Sequence, residues 1–402
     1  MVKKIIQKIL RPRHFWRNIG FDELSELYTS MMLRSLALNL VGIFIPVFLY
    51  KSGYSIRSIL FFFGVFFGSR VIFDIIAAYT VAWKGPKHTM IFSYLLQVAS
   101  LVMLVTLKTT HMPIYLISLV WGSASSFFFT AYHVDFSKIK HSDHGGKEVG
   151  YMFLLDKVGG IAGPLLGGFV AGTFGAEYTI FAAIILFCLS LIPLFATSEP
   201  VKLHQKLDFS GVGKSLKRDA LAQSCFGIEN TISVIIWPLF VSVFIFKSSA
   251  YTKLGFVTAL GVCVAILASK TIGQLIDNKK GGELLRYSLA GNIVTHLFRF
   301  AVGGFGGVVG LNMANEFVTV GYRIPYTKGF YDAADDLPGH RIVYIATMEV
   351  IEDVGKALVW LSLALCSFWL SDVLVLRLGF IVAIIASFGI MAQKFPALKD
   401  KI

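Results

Sequence analysis

Long apolar runs occupy most of the chain, and each run ends at charged residues or at turn-forming residues. A helix needs about 20 apolar residues to cross the hydrocarbon core of a bilayer, and these runs have that length. The pattern predicts twelve transmembrane helices, at about 28–50, 58–80, 89–107, 113–136, 149–173, 178–196, 221–246, 254–276, 286–303, 306–330, 342–367 and 371–392.

The polar segments between these runs predict the domain organisation. The longest one falls between the sixth and seventh runs and separates six helices from six. The first residues are basic with short apolar stretches, which is typical of a helix lying on an anionic membrane surface. We expect five parts, namely an interfacial segment (1–24), a first six-helix bundle (25–196), a central linker (197–220), a second six-helix bundle (221–392) and a tail (393–402).

A short internal repeat supports the division into two halves. Residues 131–138 are AYHVDFSK and residues 321–328 are GYRIPYTK, and only Asp135 against Pro325 breaks the similarity. Each segment ends the fourth predicted helix of its own half. Two halves with the same internal layout are typical of transporters built from parallel repeats. We therefore expect an all-α integral membrane protein of two pseudo-symmetric six-helix bundles, in which 131–138 superposes on 321–328.

The composition excludes a soluble protein. The 402 residues are 55% hydrophobic and 15% charged, with a mean hydropathy of +0.70, whereas soluble domains carry about 25% charged residues. After twelve helices and their connections, almost no chain is left for a soluble domain. The lipid bilayer is therefore the first expected partner.

The positions of Lys and Arg predict the orientation in the membrane. Most of the 37 basic residues fall in the termini, in the linker and in one alternate set of loops. Because basic loops stay on the cytoplasmic side, we expect cytoplasmic termini in a multi-pass protein of the plasma or inner membrane. This bias also accounts for the net charge of +13, so no nucleic-acid partner is expected. The other set of loops holds Lys51, Arg57, Lys108, Lys247 and Lys253.

No pattern in the sequence indicates a metal site, a cofactor or a catalytic centre. The four Cys lie far apart inside apolar runs, where they resemble small core residues. The sequence has neither an HExxH motif nor a GxxxxGK[ST] phosphate-binding loop. We therefore expect a protein that is not an enzyme, with a multi-span enzyme acting on lipid as the alternative from another class.

The fifth predicted helix contains the segment GGIAGPLLGG at residues 159–168. Its glycines recur every four residues, which allows another helix to approach closely, and its proline permits a bend. The segment matches the GxxxGPxxGG element on the fifth helix of many proton-coupled exporters, and the chain resembles the major facilitator superfamily. The predicted helix-packing residues are Gly159, Gly163, Pro164, Gly167 and Gly168.

A second element of that family, the loop signature GxxxDRxGRR, is present only in part. After the second helix, residues 78–87 lack both the acidic residue and the first basic residue. The corresponding loop of the second half, GQLIDNKKG at 273–281, is closer to the pattern. The resemblance implies that Asp277 latches the two halves in one state, and it leaves the latch of the first half in doubt.

The resemblance implies a monomeric secondary transporter that works by alternating access. Because the sequence has no ATP-binding segment, we expect an ion gradient, most simply of protons, or the substrate's own gradient to drive transport of a small-molecule substrate. The fifth-helix element favours export of a small amphiphilic organic molecule, with an uptake permease or a lipid flippase as alternatives. In the family, the first, fourth, seventh and tenth helices line the cavity, which makes these residues candidates for substrate contact: Arg34, Asn39, Tyr132, His133, Glu229, Asn230, Trp237, Asn315 and Glu316.

Charged residues inside the predicted helices need partners, because an isolated charge in a membrane is costly. Arg34 and Asp74 lie at matched depths, so we expect them to form an ion pair. Carboxyls without a fixed cation favour their protonated form in apolar surroundings, and Asp74, Glu229 and Glu316 are the candidates for proton coupling. The candidates for gating or ion pairing are Arg70, Asp74, Asp156, Lys157, Asp277, Glu349, Glu352 and Asp353.

Overall fold

The computed structural model describes residues 21–139, 145–195, 204, 206–208, 212–277, 281–337, 339–395 and 398. These residues are almost entirely helical and contain no strand, so the predicted all-α class is confirmed. The predicted interfacial segment, most of the linker and the end of the tail lie outside the described residues.

Six helical segments form the first half. They are α1 (Phe21–Val41 and Ile45–Lys51, joined by the 3₁₀ turn Gly42–Phe44), α2 (Ile56–Lys84), α3 (Pro86–Val105), α4 (Ile114–Ile139), α5 (Gly145–Thr173) and α6 (Ala176–Leu191).

Six more segments form the second half. They are α7 (Gly213–Thr231, continued by Trp237–Phe240 and by the π-helical turns Ile232–Ile236 and Val241–Phe246), α8 (Ala250–Asp277), α9 (Gly281–Phe298), α10 (Gly304–Asp335), α11 (Arg341–Cys366) and α12 (Asp372–Met391).

Eight of these described segments are long and apolar enough to cross a membrane. They are α1 to α4, α6, α7, α8 and α12. The described side chains of α5 form a shorter apolar stretch, Gly159–Thr173, and α11 carries a stripe of charged residues. A helix that packs its charged face against other helices can still cross a bilayer, so the count of twelve spans stays a prediction.

Successive helices run in opposite directions, which gives the protein two faces. We call the end with Lys84, Ile139 and Asp335 the linker face and the opposite end the far face. At the linker face, the ring centres of Trp83 and His204 are 6.1 Å apart. At the far face, Arg57 at the start of α2 contacts Ser367 at the end of α11.

The two halves pack their helices in the same order. In the first half, α1 packs on α5 and α6, and α4 packs on α2 and α3. In the second half, the corresponding helices repeat these pairs, because α7 packs on α11 and α12, and α10 packs on α8 and α9. The repeated pattern indicates two related six-helix bundles.

Two helix pairs, α2 with α11 and α5 with α8, form most of the contact between the bundles. The α5–α8 pair is a close approach of small residues. A Cβ atom on Gly255 would lie 3.2 Å from Cα of Gly168 and 3.1 Å from the carbonyl carbon of Pro164. This pair therefore depends on backbone contact, which only small residues permit.

The fifth-helix element provides two packing faces. Gly159, Gly163 and Gly167 face α1, where a Cβ on Gly163 would lie 2.6 Å from Cβ of Asn39. On the other side, Pro164 and Gly168 face α8 of the second bundle. Packing on two helices thus accounts for the glycine spacing without reference to transport direction.

Candidate functional site

A cluster of six buried charged residues lies where α2 meets α11. Arg70 is about midway along α2, roughly 21 Å from either end at 1.5 Å per residue. The α11 members occupy one face of their helix because they recur at intervals of three and four residues. No member is more than 9% exposed. The six are Arg70, Asp74, Glu349, Glu352, Asp353 and Lys356.

Arg70 bridges the two bundles. Its Nη2 donates to Oε2 of Glu349 at 3.1 Å, and its Nε lies 2.6 Å from Oδ2 of Asp353. On α11, Nζ of Lys356 lies 3.0 Å from Oδ1 of Asp353 and 2.5 Å from Oε1 of Glu352. These contacts join five residues into one chain of alternating charge, from Glu349 through Arg70, Asp353 and Lys356 to Glu352.

Neutral side chains extend both ends of this chain. At one end, Nε2 of His133 on α4 lies 3.5 Å from Oε1 of Glu349, and its Nδ1 lies 2.6 Å from the hydroxyl of Tyr331 on α10. At the other end, Nε2 of Gln223 on α7 donates to Oε2 of Glu352 at 2.5 Å. Three helices besides α2 and α11, namely α4, α7 and α10, therefore bring side chains to this interface.

Asp74 lies beside the chain but outside it. It is fully buried, and among the described residues neither of its carboxylate oxygens accepts a hydrogen bond. It is close enough to Arg70, Glu349 and Asp353 to interact with them electrostatically. The cluster thus contains four carboxyl groups and two cations.

A second polar cluster lies inside the second bundle, centred on Glu229 of α7. Oε1 of Glu229 accepts hydrogen bonds from Ser233 at 2.9 Å and from Asn292 at 3.0 Å. His296 lies 3.1 Å from the same oxygen, and the Tyr322 hydroxyl donates to Oε2. The sequence shows no charged partner for Glu229 on its own helix, and the structure adds neutral hydrogen-bond partners from α7, α9 and α10.

The hydrogen bonds of this cluster define the state of His296. Nη1 of Arg299 lies 3.0 Å from Nδ1 of His296, and a guanidinium can only donate. Nδ1 must therefore accept, which places the proton on Nε2, where it is donated to Glu229. A neutral imidazole thus links the carboxylate of Glu229 to the cation of Arg299, which also donates to Oδ1 of Asn315 at 2.7 Å.

The ion pair expected between Arg34 and Asp74 does not form. The guanidinium carbon of Arg34 lies 3.3 Å from the ring centre of Phe128 and 5.3 Å from that of Phe129, both on α4. The prediction was wrong because it used depth in the membrane alone. Depth does not specify which face of its helix a side chain occupies, and Asp74 faces α11 as well as α4.

The other cavity candidates lie at several places. Tyr132 stacks on Phe128 with ring centres 5.5 Å apart, and Asn230 accepts a hydrogen bond from Arg323 at 3.1 Å. Asn39 donates to the carbonyl of Ser35 within its own helix. Two further candidates belong to the second bundle: Trp237, which lies 4.8 Å from the Arg299 guanidinium, and Glu316, which is half-buried beside α8.

Three gating candidates, Asp156, Lys157 and Asp277, have side chains outside the described residues. The sequence analysis also missed participants that the structure adds, in particular Gln223, Tyr322 and Tyr331. These are single polar residues inside apolar helices, and no spacing pattern distinguishes them from other buried tyrosines and glutamines. No group of three or more His, Cys, Asp or Glu side chains in the described ranges is arranged to hold a metal ion.

The fold and the buried charges between its halves define a two-bundle membrane transporter. A family model for the Major Facilitator Superfamily matches residues 27–322, and the chain belongs to this family. No curated protein matches the chain.

Solved transporters share the fold at low sequence identity. The E. coli fucose:proton symporter FucP is 14% identical with a TM-score of 0.62, covering 92% of this chain and 98% of that one. The nucleoside transporter NupG is 13% identical with a TM-score of 0.68 (92% and 98%). The human organic anion transporter MFSD10 is 12% identical with a TM-score of 0.70 (91% and 98%).

Proposed function

We propose that this chain is a proton-coupled secondary transporter that works by alternating access. The observation that carries the proposal is the excess of carboxyl groups over cations at the α2–α11 contact. Alternating access moves one bundle against the other, and this contact joins the bundles. A titratable cluster at that position links proton binding to the movement.

Protons fit the cluster better than a metal cation does. A bound cation needs several carboxylate or carbonyl oxygens around one point. In the part of the chain that the structure describes, no such arrangement occurs, and most carboxylates of the cluster already contact Arg70 or Lys356. A proton needs only one carboxylate oxygen.

The proposed substrate is a small amphiphilic organic molecule. The helices that line the cavity in this family carry both aromatic and polar side chains, such as Phe129, His133, Asn230 and Arg323, all of which are half-buried. A mixed lining of this kind binds molecules that have an apolar body and a polar group. Fucose, nucleosides and organic anions are named for the similar structures, and each is a small organic molecule.

Export is the direction proposed, with uptake and lipid flipping as outcomes of the same test. Purified protein is first screened for ligands by thermal shift at two pH values. The ligand is then assayed in proteoliposomes with a pH gradient imposed in either direction. Accumulation that follows the gradient supports the proposal, and its sign gives the direction of coupling. Transport that ignores the gradient contradicts it, and transbilayer movement of a labelled lipid supports the flippase.

A further inference from the structure

One carboxyl group at the contact between the bundles, that of Asp74, is not part of the row of alternating charges from Glu349 to Glu352. Each α11 carboxylate in it contacts Arg70 or Lys356, and each cation contacts two carboxylates. Asp74 has no such contact, although it is the most deeply buried carboxyl of the cluster together with Asp353. The Ser126 hydroxyl lies near it but donates to the carbonyl oxygen of Arg70 at 3.3 Å.

The surroundings of Asp74 oppose a negative charge on it. With all groups ionised and His133 neutral, the cluster has an excess of two negative charges, and its members are almost inaccessible to water. An uncompensated charge in such a place is strongly unfavourable. The charged groups close enough to Asp74 to interact with it electrostatically are Arg70 on its own helix and Glu349 and Asp353 on α11. These two α11 carboxylates are in turn joined to His133, Lys356 and Glu352 by the contacts described above.

Arg70 and Asp74 are close enough to interact electrostatically. The two residues are four apart on α2, the spacing at which side chains meet on one helix face. The Arg70 guanidinium now lies on the α11 side, where two carboxylates hold it. It therefore has two alternative sets of partners, one in each bundle.

We propose that Asp74 binds the coupling proton, and that Arg70 exchanges its α11 carboxylates for Asp74 when that proton leaves. The exchange rests on the proton coupling proposed above and specifies its site. In the arrangement described here, Asp74 is protonated and Arg70 ties α2 to α11. The O–H bond of Asp74 breaks when solvent reaches the cluster from one side of the membrane: a solvent water takes the proton as hydronium, and the new carboxylate attracts the unchanged guanidinium.

In this exchange, binding or release of one proton at Asp74 controls whether Arg70 holds the two bundles together. Once Arg70 turns to Asp74, Glu349 and Asp353 lose their partner on α2. Two carboxylates left in a buried interface favour its hydration, and α2 and α11 separate. Rebinding of the proton to Asp74 returns Arg70 to α11.

The first test measures the α2–α11 distance as a function of pH. Spin labels are placed on a cysteine-free background at the far-face ends of the two helices (Ser55 and Trp369) and, in a second sample, at the linker-face ends (Lys84 and Arg341). The protein is studied without substrate. We expect raising the pH to lengthen the distance of at least one pair. A wild-type protein whose distances ignore pH overturns the inference.

Variants locate the proton. In Asp74→Asn, a permanently neutral side chain replaces the titrating one, so distances are expected to stay short at every pH. Asp74→Glu restores the pH response with a shifted midpoint. Glu349→Gln keeps a response but populates the separated state more, because Arg70 loses one α11 partner. A response abolished by Glu349→Gln and retained in Asp74→Asn overturns the assignment to Asp74.

Two further measurements keep the result interpretable. Glu283→Gln changes an exposed acid of α9 and is expected to leave the pH response unchanged. Infrared difference spectra between low and high pH report the protonated carboxyl directly, and the band is expected to disappear in Asp74→Asn. One outcome is that wild-type transport follows a pH gradient while Asp74→Asn leaves the pH response of the distances and the infrared band unchanged. In that case this inference fails and the proposed function stands. If transport ignores the gradient, the proposed function fails first.

Discussion

Glu229 illustrates how partners from other helices determine the role of a buried charge. The sequence places no other charge near it on α7, which favoured a proton carrier. In the structure it accepts hydrogen bonds from α9 and α10 as well as from Ser233, and a neutral His296 connects it to Arg299. A carboxylate with so many donors is held in its ionised form, so a bracing role between helices fits Glu229 better.

This role predicts a loss of stability in Glu229→Gln. The substitution removes the negative charge that accepts hydrogen bonds from Ser233, Asn292 and Tyr322 and that His296 connects to Arg299. A hydrogen bond to a charged group contributes about 1.5–3 kcal/mol, and we expect a loss of stability of that order. We expect thermal unfolding in detergent at clearly lower temperature, whereas the exposed control Glu283→Gln unfolds like the wild type. Normal stability with loss of pH-dependent transport would instead restore the proton-carrier interpretation.

At the residue scale, the sequence identified the acidic stripe of α11 but not its partner. The intervals between Glu349, Glu352, Asp353 and Lys356 place them on one face, because helical periodicity is a local property. Their connection to Arg70 spans 279 positions and crosses between bundles. No local pattern specifies such a contact, because it depends on the rotation of two helices about their axes.

At the scale of elements, the apolar runs predicted where helices lie but understated the length of some of them, including α4 and α10. The fourth and tenth runs were expected to end near 136 and 330, whereas the helices continue to Ile139 and Asp335. Apolar runs mark the part of a helix in contact with lipid, and a helix continues beyond it wherever its backbone hydrogen bonds are made. The irregular path of α7, with two π-helical turns around Trp237 and Pro238, has no counterpart in the hydrophobic pattern.

The contact between α5 and α8 predicts a specific sensitivity at Gly255. An alanine there places Cβ against the backbone of Pro164 and Gly168, which cannot yield as a side chain can. Overpacking of this kind costs typically 1–3 kcal/mol. We expect Gly255→Ala to weaken the bundle contact and reduce transport.

Gly310→Ala is the matched control, because a Cβ on Gly310 of α10 meets no atom within 4 Å and alanine favours helices. The measurement is transport in proteoliposomes together with thermal unfolding of both variants. Equal behaviour of the two would contradict the close-packed contact.

At the scale of the whole molecule, α2 and α11 are tied together at several depths. The family's loop signature is incomplete after α2, yet Arg70 supplies an ion-pair connection to α11 in mid-helix. At the far face, Nε and Nη2 of Arg57 donate to the hydroxyl and the carbonyl of Ser367 at 3.1 and 2.8 Å. The loss of one latch in the sequence is therefore compatible with a firm contact between bundles.

The far-face contact predicts that Arg57→Ala opens the protein on that side. Hydrogen bonds from a charged donor contribute about 1.5–3 kcal/mol, and 1.4 kcal/mol is a factor of ten in an equilibrium. With the other three cysteines replaced by serine, the half-buried Cys366 beside Ser367 reports the opening. We expect its labelling by a thiol reagent to accelerate by about tenfold.

Lys108→Ala is the control for that labelling. Lys108 pairs with Glu177 at 2.8 Å on the same face, but both residues belong to the first bundle. Its removal is expected to leave the labelling of Cys366 unchanged. Acceleration by both variants would mean that surface charge, rather than the contact between bundles, controls access to the thiol.

The repeated packing order predicts that the two halves do not need a covalent connection to assemble. Each half makes its own set of helix pairs. The halves contact each other mainly through α2–α11 and α5–α8, and each of these pairs takes one helix from each half. Covalent connection through the linker adds proximity but no member of these pairs. A gene split within the linker codons should therefore yield two polypeptides that reassemble when produced in the same cell. Copurification of an untagged half with a tagged one measures this complementation, and Gly255→Ala should weaken it.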